Sequence, residues 1–252
     1  MPPASSDKIW IWHARSNMKN YSSTKQLKAY VRQALLGHYG TLIFSYLGIQ
    51  CITSLALSFV QEQISSATGQ LLYWGVNLLI ILLMGVFSVG QFYMYRKLLG
   101  GEEIALKDMW FGFRYHPDKA IVISLISFIL YMIASIPFLI CCALYAAGGK
   151  QAIVFMFAMF ALALFLIASI VISLCLSQAL FLLLDYPGES ALALCKHSND
   201  LMKGHKMRLF LLYLSFIGMF VLVILTCGIG MLWVYPYFTG AKARFYDELV
   251  DE

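Results

Sequence analysis

Five long stretches without a charged residue constrain this chain more than any other feature. They cover residues 33–61, 63–95, 120–149, 151–184 and 209–241, and their lengths lie between 29 and 34 residues. About 20 apolar residues in a helix are enough to cross the roughly 30 Å hydrocarbon core of a bilayer. We therefore expect an all-α fold, a polytopic transmembrane helical bundle with additional amphipathic helices at the membrane interface.

Composition and charge narrow the class of protein further. Hydrophobic residues make up 61% of the chain and charged residues 12%, whereas soluble domains carry about 25% charged residues. This excludes a soluble enzyme, a disordered tail and a secreted disulfide scaffold. The net charge of +5 is carried by residues beside the apolar stretches, so membrane lipids are the expected partner and nucleic acid is not. The six cysteines form no CxxC pair, and we expect neither a metal site nor a cofactor.

The distribution of Lys and Arg predicts the orientation in the membrane. Six precede the first stretch, none separate the first from the second, five separate the second from the third, one follows the third and four follow the fourth. Cytoplasmic loops of membrane proteins are enriched in Lys and Arg. The N-terminus is therefore expected in the cytoplasm, together with loops 96–119 and 185–208.

The number of spans depends on how the last stretch is interpreted. A single helix over 209–241 would be about 50 Å long, more than a membrane needs. Gly228 and Gly230 in its middle favour a tight hairpin. A hairpin gives six spans and returns Lys242 and Arg244 to the cytoplasm, whereas five spans leave them outside. We expect six, with five as the alternative; the six lie near 39–60, 71–95, 120–147, 151–184, 208–225 and 230–246.

The segments outside the spans complete the predicted organisation. Residues 1–22 form an N-terminal extension without a signal peptide, 38–246 form a single transmembrane domain, and 247–252 form an acidic tail. Segment 23–37 is predicted to be a basic amphipathic helix on the inner leaflet, opened by a Ser23–Gln26 capping box. A second amphipathic helix is expected from about Ser190 to Lys203.

Uncharged polar residues within the spans are candidates for a hydrophilic path. A proton-coupled transporter usually shows a carboxylate inside a span, and this chain has none; Asp185, at the end of the fourth stretch, is the nearest. Such polar residues can also serve only helix packing. The candidates for a polar groove are Gln50, Asn77, Tyr131, Ser173, Ser177 and Asp185.

Basic residues before the fifth span are candidates for contact with lipid head groups. They are Lys203, His205, Lys206 and Arg208. Each basic residue near an anionic leaflet contributes on the order of 1 kcal/mol of attraction. These residues either orient and anchor the span or recognise a head group. His197 and Asp200, three residues apart on a predicted helix, together with His205 offer a weaker third interpretation as an enzyme site, although no signature of nucleotide binding, zinc proteolysis or serine hydrolysis occurs.

The C-terminal part of the chain resembles a known family. The resemblance is carried by Leu201–Lys206, Leu209–Phe210, Leu214–Gly218, Gly228–Gly230, Leu232–Trp233, Pro236–Tyr237 and Phe245–Leu249. These segments are similar to the integral membrane proteins grouped as domain of unknown function 975. The close match covers about the last 60 residues, and the middle of the chain matches only in hydropathy. The resemblance implies a compact helical bundle in a bacterial plasma membrane and supplies no catalytic residue.

Three functions remain open at this point. The leading hypothesis is a non-enzymatic protein that binds or moves an amphiphile, such as a lipid or hydrophobic peptide, or serves a membrane protein partner as accessory subunit of a transport or envelope machine. The alternatives are an uncoupled channel or transporter and a membrane enzyme acting on phospholipid head groups. The sequence leaves the ligand and the oligomeric state open.

Overall fold

The computed structural model describes residues 23–61, 66–147 and 152–250. Within these ranges the chain consists of helices and connecting turns, without a strand. The predicted all-α class is confirmed. The N-terminal extension 1–22 and the last two residues of the predicted acidic tail lie outside the described residues.

Eleven α-helices and one short 3-10 helix follow one another in the described part of the chain. The α-helices are α1 (Thr24–Leu35), α2 (Tyr39–Gln61), α3 (Ala67–Leu99), α4 (Phe111–Arg114), α5 (Pro117–Ala146), α6 (Ala152–Leu176), α7 (Ala179–Asp185), α8 (Ala191–Leu201), α9 (Lys206–Leu214), α10 (Ile217–Leu225) and α11 (Met231–Val250). The 3-10 helix, Leu106–Trp110, precedes α4 directly.

Five helical segments in the described part of the chain are long and apolar enough to cross a membrane. They are Tyr39–Phe59, Thr68–Leu99, Pro117–Ala146, Ala152–Asp185 and Lys206–Leu225. Helix α11 covers the predicted sixth span, but it is not among the five. Its last turns carry Lys242, Arg244, Asp247 and Glu248, and so many charges are costly in hydrocarbon. The six-span arrangement stays a prediction.

The chain divides into two compact units. Of the described residues, the first unit contains those up to Pro117 and those from Met207 onward, and the second contains those from Asp118 to Lys206. In the first unit α11 is the most deeply packed helix, because half of its residues are buried. Helices α1, α2, α3 and α10 pack against it.

Helix α1 begins with the predicted capping box. The Ser23 hydroxyl accepts a hydrogen bond from the Gln26 backbone, and the Gln26 side chain accepts one from the Ser23 backbone. Its apolar residues Leu27, Val31 and Leu35 are buried within the protein. Helix α1 packs against α11 and α3. That α1 lies at the membrane interface stays a prediction.

The segment after α3 folds back along that helix. An ideal Cβ at Gly90 of α3 would lie 1.9 Å from the carbonyl oxygen of Met109, and one at Gly112 would lie 2.0 Å from that of Val86. The two backbones therefore touch directly at these glycines. Aromatic rings cover the contact, with Tyr93 stacked on Phe111 at 4.0 Å between ring centroids.

In the second unit, helix α8 is fixed by buried hydrogen bonds. Ser190 caps its first turn by accepting from the Ala193 backbone. The buried Ser198 hydroxyl donates to the Cys175 carbonyl at 2.7 Å and accepts from the Gln178 backbone at 3.2 Å. The predicted second amphipathic helix thus packs by its buried face on the α6–α7 junction. Its Cys195 is buried, and burial raises the pKa of this thiol to about 11.

Candidate functional site

The last turns of α11 bring four charges into the packed end of the first unit. Arg96, near the end of α3, pairs with Asp247 at 3.5 Å. The predicted acidic tail at 247–252 begins with this contact. Its residues 247–250 continue helix α11, and the carboxylates of Asp247 and Glu248 meet basic side chains of the same unit.

An ionic cluster of Arg208, Arg244 and Glu248 lies at this end of the first unit. The Glu248 side chain is only 3% exposed. One of its oxygens accepts from Arg208, and the other lies 4.0 Å from Nε of Arg244. Arg208 thus pairs directly with the buried carboxylate, and Arg244 lies at the 4.0 Å limit of a second ion pair with it. Replacing a partner of a buried pair leaves an uncompensated charge, so the cluster is expected to hold α9 and α11 together.

Both arginines of the ionic cluster also lie over aromatic rings. The Arg208 guanidinium is 5.0 Å from the centroid of the Phe245 ring. The Arg244 guanidinium is 4.3 Å from the ring of Tyr30 on α1. Tyr30 donates its hydroxyl hydrogen bond to the Leu99 carbonyl at 2.9 Å. Helix α1 is therefore joined through Tyr30 to the end of α3 and to the ionic cluster.

A cavity of about 380 Å³ opens between α1 and the end of α3. The residues that line it include Glu102, Glu103 and His38 together with apolar residues such as Leu36 and Leu98. The residues around it are Tyr30, Gln33, Ala34, Leu36, His38, Leu98, Leu99, Gly101, Glu102 and Glu103. The cavity presents two acidic groups beside exposed Leu36, which suits a cationic group attached to an apolar chain.

The predicted head-group residues have partners within the protein. Lys203 pairs with Asp200 at 2.7 Å, and its hydrogen bond lowers the pKa of that carboxyl. Lys206 donates to the Asn199 side chain at 3.2 Å. Arg208 belongs to the ionic cluster, and His205 also has an interaction within the chain. Among these, the 69% exposed Lys203 side chain is open to solvent.

Two of the predicted polar groove residues donate hydrogen bonds to backbone carbonyls three or four residues earlier in the chain. Asn77 donates to the Tyr73 carbonyl at 2.9 Å, and Ser177 donates to the Leu174 carbonyl at 2.9 Å. Ser173 and Tyr131 are half-buried on α6 and α5. Asp185 is the last residue of α7. A side chain that donates to a backbone carbonyl of its own helix needs no polar groove to complete its hydrogen bonding. A shared path along these residues stays a prediction.

Gln50 bonds within its own helix as well, but its partner Tyr46 also contacts a neighbouring helix. Its side chain donates to the Tyr46 hydroxyl at 2.9 Å. The Tyr46 ring stacks on Tyr235 of α11 at 4.3 Å. The Tyr235 hydroxyl then donates to the Gln91 side chain at 2.7 Å. Sequence reasoning missed the pairing of Tyr46 with Tyr235, because the two residues are far apart in the chain.

The residues proposed for an enzyme site have separate partners. His197 lies 3.6 Å from Glu189, whereas Asp200 pairs with Lys203. Within residues 23–61, 66–147 and 152–250, no group of three or more His, Cys, Asp and Glu side chains could hold a metal ion. No observation at His197 and Asp200 therefore favours metal-assisted chemistry there.

Comparison with known proteins identifies the family. The family described as Protein of unknown function (DUF975) matches residues 18–252. The chain belongs to this family. The DUF975 match corrects the extent of the resemblance, since it covers nearly the whole chain and not only its last 60 residues. No curated protein and no solved structure matches the chain.

Proposed function

We propose that this DUF975 protein binds an amphiphile whose head group carries an amine, without transforming it. The proposed site is the α1–α3 cavity, in the cytoplasmic leaflet of a bacterial plasma membrane. The ligand's ammonium group meets Glu102 and Glu103, and its apolar chain passes Leu36 into the bilayer. This proposal narrows the amphiphile-binding hypothesis to one chemical class.

The combination of two carboxylates with apolar walls in one cavity carries the proposal. Glu103 is exposed, and Glu102 lies at the 4.0 Å limit of its ion pair with Lys97. Both carboxylates therefore keep capacity for a cationic ligand. A hydrogen bond between charged groups contributes about 1.5–3 kcal/mol, enough to prefer an ammonium head group over an anionic one.

Native mass spectrometry of the purified protein with two competing lipids tests this function. We expect dioleoylphosphatidylethanolamine to be retained in preference to dioleoylphosphatidylglycerol, because only the former carries an amine. The double substitution Glu102→Gln and Glu103→Gln should weaken ethanolamine-lipid binding by about tenfold. It should leave the binding of dioleoylphosphatidylglycerol unchanged.

The control variant removes the charge of a glutamate that lies outside the α1–α3 cavity. Glu189→Gln, beside His197 in the second unit, should leave the lipid preference as it is. A further arm compares a lysine-bearing apolar peptide with its acetylated form, which separates a peptide amine from a lipid amine. Stronger retention of the glycerol lipid would contradict the proposal and favour the basic residues Lys203 and Lys206 instead. Equal retention would contradict it as well.

A second candidate, an uncoupled channel, is favoured by four polar side chains that lie next to one another on α2, α11 and α3, namely Gln50, Tyr46, Tyr235 and Gln91. In liposomes, glycerol-driven swelling faster than in protein-free liposomes would support it. Tyr235→Phe removes the hydroxyl that donates to Gln91 and should slow this swelling. Tyr73→Phe, at the other end of α3, should not. Swelling equal to that of protein-free liposomes would remove this candidate.

A further inference from the structure

The segment from α9 to α11 begins and ends at the same end of the first unit. Arg208 stands near the beginning of α9, and its partners Phe245 and Glu248 stand near the end of α11. Asp247 of α11 pairs with Arg96 at the end of α3. The two arms therefore form a hairpin that is closed at its base by the ionic cluster.

The contacts of α11 with α2 and α3 show how far the hairpin extends along these two helices. Tyr235 stacks on Tyr46 of α2 and bonds Gln91 of α3. An ideal Cβ at Gly240, five residues on, would lie 3.6 Å from the Tyr95 ring. Helix α11 thus runs parallel to α3 and antiparallel to α2.

The turn of the hairpin lies level with the middle of α2. At 1.5 Å per residue, Gly230 is about 8 Å beyond Tyr235. From Tyr46, α2 continues to Gln61, about 22 Å further in the same direction. The turn at 226–230 therefore ends about 15 Å short of the far end of α2, and it ends still further from the beginning of α3.

Every backbone N–H through this turn has an acceptor in the protein. Gly228 donates to the Val223 carbonyl at 2.8 Å, and Gly230 donates to the Thr226 hydroxyl at 2.9 Å. The remaining N–H groups from 226 to 234 donate to backbone carbonyls between residues 222 and 230. A backbone N–H at membrane depth must find its acceptor within the protein, because no water is present there.

The surface of the turn is apolar. Ile224 and Leu225 are each 76% exposed, and Ile229 is 63% exposed. No charged residue lies between 209 and 241. Turns in water are rich in polar residues, whereas this turn presents isoleucine and leucine to its surroundings. Hydrocarbon is the environment that suits it.

The break between α9 and α10 is also compatible with this environment. Interruptions of a helix at membrane depth are tolerated where other groups satisfy the freed backbone. The Lys28 ammonium of α1 donates to the Ser215 carbonyl at this break at 2.7 Å and lies 4.0 Å from the centroid of the Phe216 ring. Helix α1 thus supplies the hydrogen bond that the interrupted helix lacks.

We propose that residues 206–250 form a re-entrant hairpin, which enters one leaflet from the side of Arg96, turns in the hydrocarbon at 226–230 and returns to the same side. Its partner surface is the acyl chains near the middle of the bilayer. Four of the five apolar segments then cross the membrane, and the fifth, Lys206–Leu225, forms the first arm of the hairpin. The basic residues Lys242 and Arg244 lie on the same side as Arg96. This arrangement satisfies the positive-inside rule.

Cysteine labelling in sealed vesicles of known sidedness tests the hairpin. The native chain offers Cys227, an exposed thiol within the turn. The substitutions Lys107→Cys and Val250→Cys add one thiol after α3 and one at the end of α11, whose sidedness is compared with that of Cys227. A membrane-impermeant maleimide is added from either face, and labelled peptides are located by mass spectrometry. We expect residues 107 and 250 to react from one and the same face. Cys227 should react from neither face until SDS is added.

Because Cys227 is expected to remain unlabelled, a second measurement reports its depth in the membrane directly. A nitroxide at Cys227 should collide more often with oxygen than with a water-soluble nickel chelate, as it does in hydrocarbon. Reaction of Cys227 from the face opposite residue 107 would overturn the proposal in favour of six spans. Opposite faces for residues 107 and 250 would overturn it in favour of five. Reaction of Cys227 from the same face as residue 107 would place the turn in water and overturn it too.

Discussion

Replacement of Glu248 by Gln is expected to lower the free energy of unfolding by about 3–5 kcal/mol, the cost of breaking a buried ion pair by removing one partner. The substitution keeps the size of the side chain but removes the carboxylate that Arg208 and Arg244 share. The two guanidinium groups then lose the negative charge that faces them. Unfolding of the detergent-solubilised protein by SDS titration measures the loss.

The matched control is Asp200→Asn, which makes the same chemical change in an exposed pair. Lys203, the partner of Asp200, is largely in solvent, and exposed pairs contribute little to stability. We expect no resolvable change in the unfolding midpoint. The double variant Glu248→Gln with Arg208→Gln should recover part of the lost stability, because it also removes the positive charge that pairs directly with Glu248. A Glu248→Gln protein as stable as wild type would refute the structural role of the ionic cluster.

The second large effect is expected from Gly90→Ala. A methyl group at this position would lie 1.9 Å from the Met109 carbonyl oxygen and 2.7 Å from its carbon. The obstacle is backbone, so it cannot rotate away as a side chain can. Overpacking usually costs about 1–3 kcal/mol, and we expect Gly90→Ala to reach the upper end of this range or exceed it. The same SDS titration measures the change.

Gly75→Ala supplies the control on the same helix. Nothing lies within 4 Å of a Cβ at Gly75, and alanine favours helix over glycine by roughly 0.5–1 kcal/mol. This variant should therefore be as stable as wild type or more so. Gly112→Ala, which meets the Val86 carbonyl from the other side of the contact, should reproduce the loss at Gly90. Equal stability of the Gly75 and Gly90 variants would show that the two backbones do not touch.

Part of the candidate site could be anticipated from local spacing. Arg244 and Glu248 are four residues apart, the distance at which opposite charges meet on one helix face. Arg208 and Glu248 are 40 residues apart, so nothing in the local pattern joins them. The cavity combines Tyr30 and Leu36 with Glu102 and Glu103. That combination arises only when α1 packs beside the end of α3.

The predicted basic and polar residues illustrate the same limit. Composition marks Lys203, Lys206 and Arg208 as a positive cluster, but it does not reveal which of them are already paired. The partners Asp200, Asn199 and Glu248 decide how much of that charge faces outward. Local sequence similarly marks Gln50 as polar, whereas only packing against α11 connects Tyr46 to Tyr235 and Gln91.

The sequence by itself determined the helical class, the apolar segments and the Ser23 capping box, because hydropathy, charge and capping act between residues that are close in the chain. Tertiary structure alone decided that Gly90 touches another backbone while Gly75 does not, that Glu248 is buried between two arginines, and how far α11 extends along α2 and α3. These properties depend on contacts between residues distant in the sequence. Packing and hydrogen bonding select those contacts, and a hydropathy pattern does not encode them.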